Sequence, residues 1–351
     1  MRIKQQGVFG VAVAIAMAAG LGAAHAGEVN VLTWEGYADD SFIKPFEEAT
    51  GCKVSATYVG SNDDFAPKLA AGGGVYDLVS PSIDATKALI EAGFIAPLDL
   101  SRVPRYGEIY EKFRSAEGIN YEDQPYGIPF SWGSIPFMYR TDKFDAAPTS
   151  IATLWDPALQ GKVSLWDDKS ALYVASRLIG NGDIYHLSDE QLDAARDKLI
   201  EQKPLVRKYW ATAGELVDLY AAGEVWISNT WGGYQSSLLA EQNIPVAEFI
   251  PEEGAEGWMD SWLIVKDTPN EDCAYQFINM ATTEQGQCGM SNVNGYSSAN
   301  PVAAENCMSP EQFKALHQDD VDYLDSLLLW ENLRDRLPAY TNAWNAVKAA
   351  N

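Results

Sequence analysis

An alternation of element types early in the chain constrains the fold most. "EVNVLTW" (residues 28–34) reads as a strand, and "ADDSFIKPFEEATG" follows as a helix with acidic residues in its first turn and Gly51 as its stop. "CKVSATYV" is the next strand, and "DDFAPKLAAGGG" the next helix, its glycines at 72–74 reading as a C-cap and turn and not as a phosphate cradle. "YDLVSPS" is a short buried strand and "IDATKALIEAGF" a third helix. Strand, helix, strand, helix, strand, helix is the signature of a parallel α/β layer. Ligands of such layers lie beyond the carboxyl ends of the strands. Those ends carry Trp34, Glu35 and Tyr37, then Gly60 and Ser61, then Ser82 and Asp84.

A second α/β cycle starts at "GKVSLWDD" (161–168), runs through the helical patterns "SALYVASRLIG" and "SDEQLDAARDKLIEQKP", and returns at "EVWISNTW" (224–231). Its strand ends carry Trp166, Asp167, Asp168, Asn229 and Trp231. "GWMDSWLIV" (257–265) then reads as a strand added to one of the two layers, with Trp258, Asp260 and Trp262 on one face. No linker rich in Gly, Ser or Pro separates the halves. Lobes joined by strand-like crossovers, placed near 130–138 and 250–258, are expected, an arrangement that permits hinge motion.

Arg2 and Lys4 precede an apolar run from Val8 to Ala24, and Ala24-His25-Ala26 supplies small residues for cleavage, so residues 1–26 are expected to be a secretory signal peptide. The remaining 325 of 351 residues suit two domains. No later segment has the length of apolar sequence that spans a membrane, so the mature chain is expected to be exported and soluble, without membrane insertion. The formal net charge is −24, and loss of Arg2 and Lys4 with the leader makes it −26. Such a field opposes nucleic-acid binding and enriches small cations near the surface. Cys52, Cys273, Cys288 and Cys307 would meet an oxidising compartment; three full pairings exist, and the short loop between Cys288 and Cys307 favours that pair. The cysteine and histidine spacings are not those of a zinc site, and neither metal nor cofactor is expected.

Aromatic and acidic residues gather at the strand ends: Trp34, Glu35, Tyr37, Asp84, Trp166, Asp167, Asp168, Trp231, Trp258, Asp260, Tyr296, Trp330 and Glu331. Singly, a tryptophan there is core filler and an aspartate, Asp167 above all, a helix cap. Together they have the chemistry of an ammonium site, since cation–π contacts contribute about 0.5–2 kcal/mol each. Charge-assisted hydrogen bonds add roughly 1.5–3 kcal/mol each. A cleft for a small aliphatic amine with more than one charge is the expectation. No G-x-S-x-G elbow, H-E-x-x-H or P-loop is present, and a glycosidase pair built on Asp168 and Asp260 is the enzymatic alternative.

"LTWEGY", "FEEATGCKV", "YDLVSPS", "YGIPFSWG", "LWDPALQGKV", "NTWGGY", "WMDSWLIV" and "NGYSSANP", in that order, resemble the periplasmic polyamine-binding proteins of ABC transporters over nearly the whole mature chain. The resemblance implies the two-lobed type II periplasmic binding protein fold with a hinge between lobes, lobe I being 27–134 and 258–300 and lobe II 135–257 and 301–351. It implies a monomeric, periplasmic, non-enzymatic protein that captures putrescine or spermidine and delivers it to the permease subunits of an importer. It makes Trp34 and Tyr37 an aromatic wall and amine partner, Ser82 a polar contact, Asp168 an acidic ligand of the second lobe and Trp231 the facing wall. Trp258 and Asp260 become the central aromatic and the carboxylate that grips an amine, Tyr296 lines the cleft, and Trp262 packs beneath. Glu331 falls where relatives have a polar residue.

Two departures bear on the ligand. Ala171 stands where such receptors can offer a second carboxylate, and Asp84 where they can offer an aromatic. Glu35, Asp84 or Glu331 would then take the second amine. Alternatively, one ammonium site is lost and a zwitterion such as 4-aminobutyrate is bound, its carboxylate held by Arg207 and the amides of Gly232 and Gly233. A sensory role, with the closed form presented to a receptor, is compatible with transport.

Overall fold

The structure is a computed structural model and describes residues 27–72 and 74–350. The expected leader, 1–26, lies outside the described residues. Among the described residues no helix is long and apolar enough to cross a membrane.

The alternation folds as expected. Strand Glu28–Thr33 pairs in parallel with Lys53–Tyr58 on one side and Leu78–Val79 on the other. The intervening helix Asp40–Thr50 starts where the Asp39 side chain accepts from the Ser41 amide and ends at Gly51, whose φ of 78° suits a residue without a Cβ. It buries Phe42, Ile43 and Phe46 against the sheet. Strand Glu256–Ile264 then lies antiparallel between Leu78–Val79 and Gly127–Ile135, with Ser297–Ser298 beyond and Leu328–Leu329 alongside its start. All nine residues of this central strand are buried, so both of its faces are covered. A second sheet runs in the order Val246–Phe249, Phe137–Arg140, Ile227–Asn229, Val163–Trp166, Val206–Trp210. Like the first, it is parallel on one side, through Ile227–Asn229, Val163–Trp166 and Val206–Trp210, and antiparallel on the other.

The chain passes from the first sheet to the second at Pro136, between strands Gly127–Ile135 and Phe137–Arg140. Proline lacks the N–H that would continue either ladder, so the pairing changes sheets there. It returns between Phe249 and Glu256. Both passages fall where crossovers are expected. A third was not anticipated: after Leu328–Leu329 the chain crosses again, and helix Leu337–Ala349 packs on Asp189–Gln202 of the second lobe. The expected assignment of all of 301–351 to lobe II therefore needs correction. Helix Pro301–Cys307 packs on Glu284–Asn294 of the first lobe and is joined to it by the disulfide Cys288–Cys307. Cys52 and Cys273 form the other disulfide, also within the first lobe.

Candidate functional site

The lobes meet over a cavity of about 30 Å³, at which Trp258 and Asp260 of the central strand converge with Ser82, Tyr296, Trp34 and Trp231. Asp260 is held by a short antiparallel bridge to Ser82, which heads the helix Ile83–Glu91. The Ser82 hydroxyl donates to Oδ1 at 2.5 Å and the Tyr37 hydroxyl to Oδ2 at 2.6 Å. Burial pushes the Asp260 carboxyl up to about 7, and these two donors pull it partly back. Burial, then the Asp260 charge, pushes the Tyr37 phenol well up, so Tyr37 stays a donor. Tyr37 braces the carboxylate from behind.

The walls are rings in edge-to-face contact, a geometry that fixes their planes. Trp34 meets Trp231 at 5.6 Å and donates its indole N–H to the Ser80 carbonyl at 2.8 Å. Trp258 meets Tyr296 at 4.8 Å and donates to the Ser134 carbonyl at 3.2 Å. Ile135 and Trp330 complete the lining. Trp330 stands 5.9 Å from Trp166 in a near-parallel stack and donates to Glu256 at 3.1 Å. Trp262, two residues beyond Asp260, is fully buried against Phe277 at 4.8 Å and Phe130 at 5.7 Å, beneath the cavity.

The other expected carboxylates do not line this cavity. Asp168 receives the Ser61 hydroxyl at 2.6 Å and its own Ser170 amide at 2.8 Å. Asp84 receives the Asn62 amide at 2.8 Å and faces the Lys169 ammonium at 3.8 Å; burial raises its carboxyl to about 7 and Lys169 opposes that. Burial pulls the Lys169 ammonium down, but Asp168, Asp84 and Asp63 outweigh burial and keep it charged. Glu35 accepts from the Gly214 and Ala213 amides at the start of helix Ala213–Ala221, and burial still raises it. Glu331 is exposed on another face, 3.9 Å from His186. Arg207 is half exposed and paired with Glu224 at 2.7 Å, away from the cavity.

Asp168, Asp84 and Glu35 meet groups of the opposite lobe across the cleft instead. Ser61 to Asp168, Asp63 to Lys169 at 3.0 Å, and the Trp166 indole to the Gly60 carbonyl at 2.8 Å all join one lobe to the other. At Gly60 a Cβ would fall 2.2 Å from the Ala211 carbonyl oxygen, so only glycine admits this approach. The lobes are closed on each other. Lys169, the cation of this seam, was missed at the sequence level; its signal was the lone base ending "WDDK".

The profile described as "Bacterial extracellular solute-binding protein" matches residues 41–318. The chain is 29% identical over 307 residues to the spermidine/putrescine-binding periplasmic protein of Escherichia coli K12, covering 84% of this chain and 85% of that one. It superposes with a TM-score of 0.83 on a putative spermidine/putrescine ABC transporter structure from Listeria monocytogenes, at 24% identity over 92% of this chain and 99% of that one. It also superposes, with a TM-score of 0.77 and 18% identity, on the PBP MotA from A. tumefaciens B6 in complex with glucopine, covering 92% of this chain and 99% of that one. Two lobes, each sheet fed by discontinuous chain and closing over a buried site, form the type II periplasmic binding protein fold, and the chain belongs to the bacterial extracellular solute-binding protein family.

Proposed function

We propose that the chain is the periplasmic substrate-binding component of an ABC importer and captures a small aliphatic amine of more than one charge, putrescine or spermidine, between its lobes. The observation that carries this is Asp260: a buried carboxylate with two hydroxyl donors, no cation beside it among the described residues, and tryptophan and tyrosine rings around it. An ammonium group is the partner that such a site lacks, since it pairs with the carboxylate and lies against ring faces that attract cations. The names of the E. coli and Listeria proteins support the same ligand class.

Binding involves no covalent step. The ammonium stabilises ionised Asp260, the rings cover the methylene chain, and the seam of Ser61, Asp63, Asp168 and Lys169 closes over it. A ligand that contacts both lobes shifts the population toward this closed form by its differential affinity for it. The closed monomer is then the form that the permease would recognise. Residues 1–26 would direct export.

A second reading rests on Trp231, whose indole N–H is buried without an acceptor among the described residues. A zwitterionic amine would offer a carboxylate to that donor. Arg207 is not available for the task.

Equilibrium dialysis of putrescine against the mature protein and its Asp260→Asn variant tests the main reading. Loss of one charge-assisted contact of about 1.5–3 kcal/mol should weaken binding at least about tenfold. Equal affinity in the two proteins would reject the assigned role.

A further inference from the structure

Next to the central cavity lies a larger chamber, of about 250 Å³, at the two main crossovers: Ser134 and Pro136 of the first line it, as do Glu248, Phe249 and Ile250 leading into the second. Trp231 and Tyr296 are walls of both spaces. The central cavity, at about 30 Å³, holds two or three waters by volume, a water needing roughly 10–15 Å³. A triamine therefore cannot extend within it unless neighbouring space is used.

The chamber contains a carboxylate of its own. Glu248 sits on the edge strand Val246–Phe249, where an acidic residue is ordinarily a solvated guard against edge pairing. Its side chain is part exposed as a whole, yet Oε1 is out of contact with solvent and has no hydrogen-bond partner among the described residues. Burial pushes the carboxyl up to about 7, only the Ser236 hydroxyl opposes this, and no lysine or arginine contributes. Tyr296 is within electrostatic reach of Asp260 and of Glu248. The rings beside Glu248 are Tyr323, Phe249, Trp231 and Tyr296, the same chemistry that surrounds Asp260. The other titratable side chains of the lining are Tyr296, Tyr323 and His317, the last stacked on Tyr323 at 3.6 Å and 3.6 Å from Asp320.

We infer that the Glu248 chamber is a second ammonium subsite, reached past Tyr296 and Trp231, which takes the far amine of an extended polyamine whose near amine is held by Asp260. This deepens, and rests on, the amine-binding reading above. It places the second charge at a residue that the strand-end pattern did not single out, and it makes ligand length the property that the chamber reads.

The test is calorimetric titration of wild type, Glu248→Gln and Ala315→Trp with butylamine, putrescine, spermidine and spermine in one buffer. Ala315→Trp fills the chamber from the helix Pro310–Ala315 without altering Glu248. In wild type, spermidine or spermine should bind at least tenfold tighter than putrescine, and each variant should collapse that ratio to within about threefold. If either variant does not fold, the other decides. A wild-type ratio near one, or a ratio that survives in the folded variants, overturns the subsite while leaving putrescine binding at Asp260 intact. If wild type binds no amine at all, the amine reading itself falls and the subsite with it.

Discussion

Asp260 sits with its carboxylate buried and both oxygens occupied by hydroxyl donors, yet burial keeps it at about 7 in the absence of a cation. An ammonium ligand favours the ionised form, so binding near pH 6 should release up to about one proton from this residue. Titration in two buffers of different ionisation heat measures it; identical apparent enthalpies would contradict the pairing. The same shift has a consequence for the empty protein. Asp260, Asp84 and Glu248 all have carboxyls raised to about 7, above the ordinary range near 4 in which they ionise when unfolded. Their stabilisation is complete below about pH 4 and is lost as pH rises through 7. Melting of ligand-free protein should therefore be lower at pH 8 than at pH 5, and saturating amine should narrow the gap. A gap that ligand does not change would count against Asp260 as the amine's partner.

Elements near the second crossover depend on a buried ion pair. Arg177 of helix Ala171–Leu178 donates to Glu256, the first residue of the central strand, at 2.9 Å, and also to the Gly254 carbonyl. Both side chains are almost wholly excluded from solvent. Removing the guanidinium leaves Glu256 buried and uncompensated, so Arg177→Ala should destabilise by about 3–5 kcal/mol. Urea unfolding checks this, and a change within about 0.5 kcal/mol, the range of ordinary surface substitutions, would contradict it. Such pairs are invisible in sequence, because helix and strand come together only through the fold. What was legible at this scale is local: the strand–helix alternation of 28–94 follows from periodicity and caps, and "GWMDSWLIV" was recognisable as a strand from its apolar run. Leu328–Leu329 carries no alternation in two residues, so the third crossover that follows it was hidden. Glu248 was hidden for a related reason, since an acid on a four-residue edge strand looks solvated until the chamber beside it is seen.

For the molecule as a whole, the sequence held the composition of the site better than its division of labour. Aromatic residues and Asp260 were found because rings and carboxylates at strand ends are unusual together. Asp168, Asp84 and Glu35 share that pattern, but closure turns them toward the opposite lobe or its cations, and only the assembled cleft separates the two groups. Closure itself is testable at Gly60, whose replacement by alanine would set a Cβ against the Ala211 carbonyl. The clash falls on the contact between the lobes and not inside either of them, so Gly60→Ala should leave the melting temperature of the empty protein near that of wild type. It should weaken amine binding about tenfold through faster release. Stopped-flow dissociation with unchanged rates would contradict the closed seam. The most direct measurement on the central claim is isothermal titration calorimetry of ligand-stripped mature protein with putrescine, spermidine, 4-aminobutyrate and arginine in one buffer. Binding of a diamine or triamine at about micromolar affinity or better, with no heat from either zwitterion, is the predicted result. A zwitterion that binds best, or no heat from any amine, would contradict it.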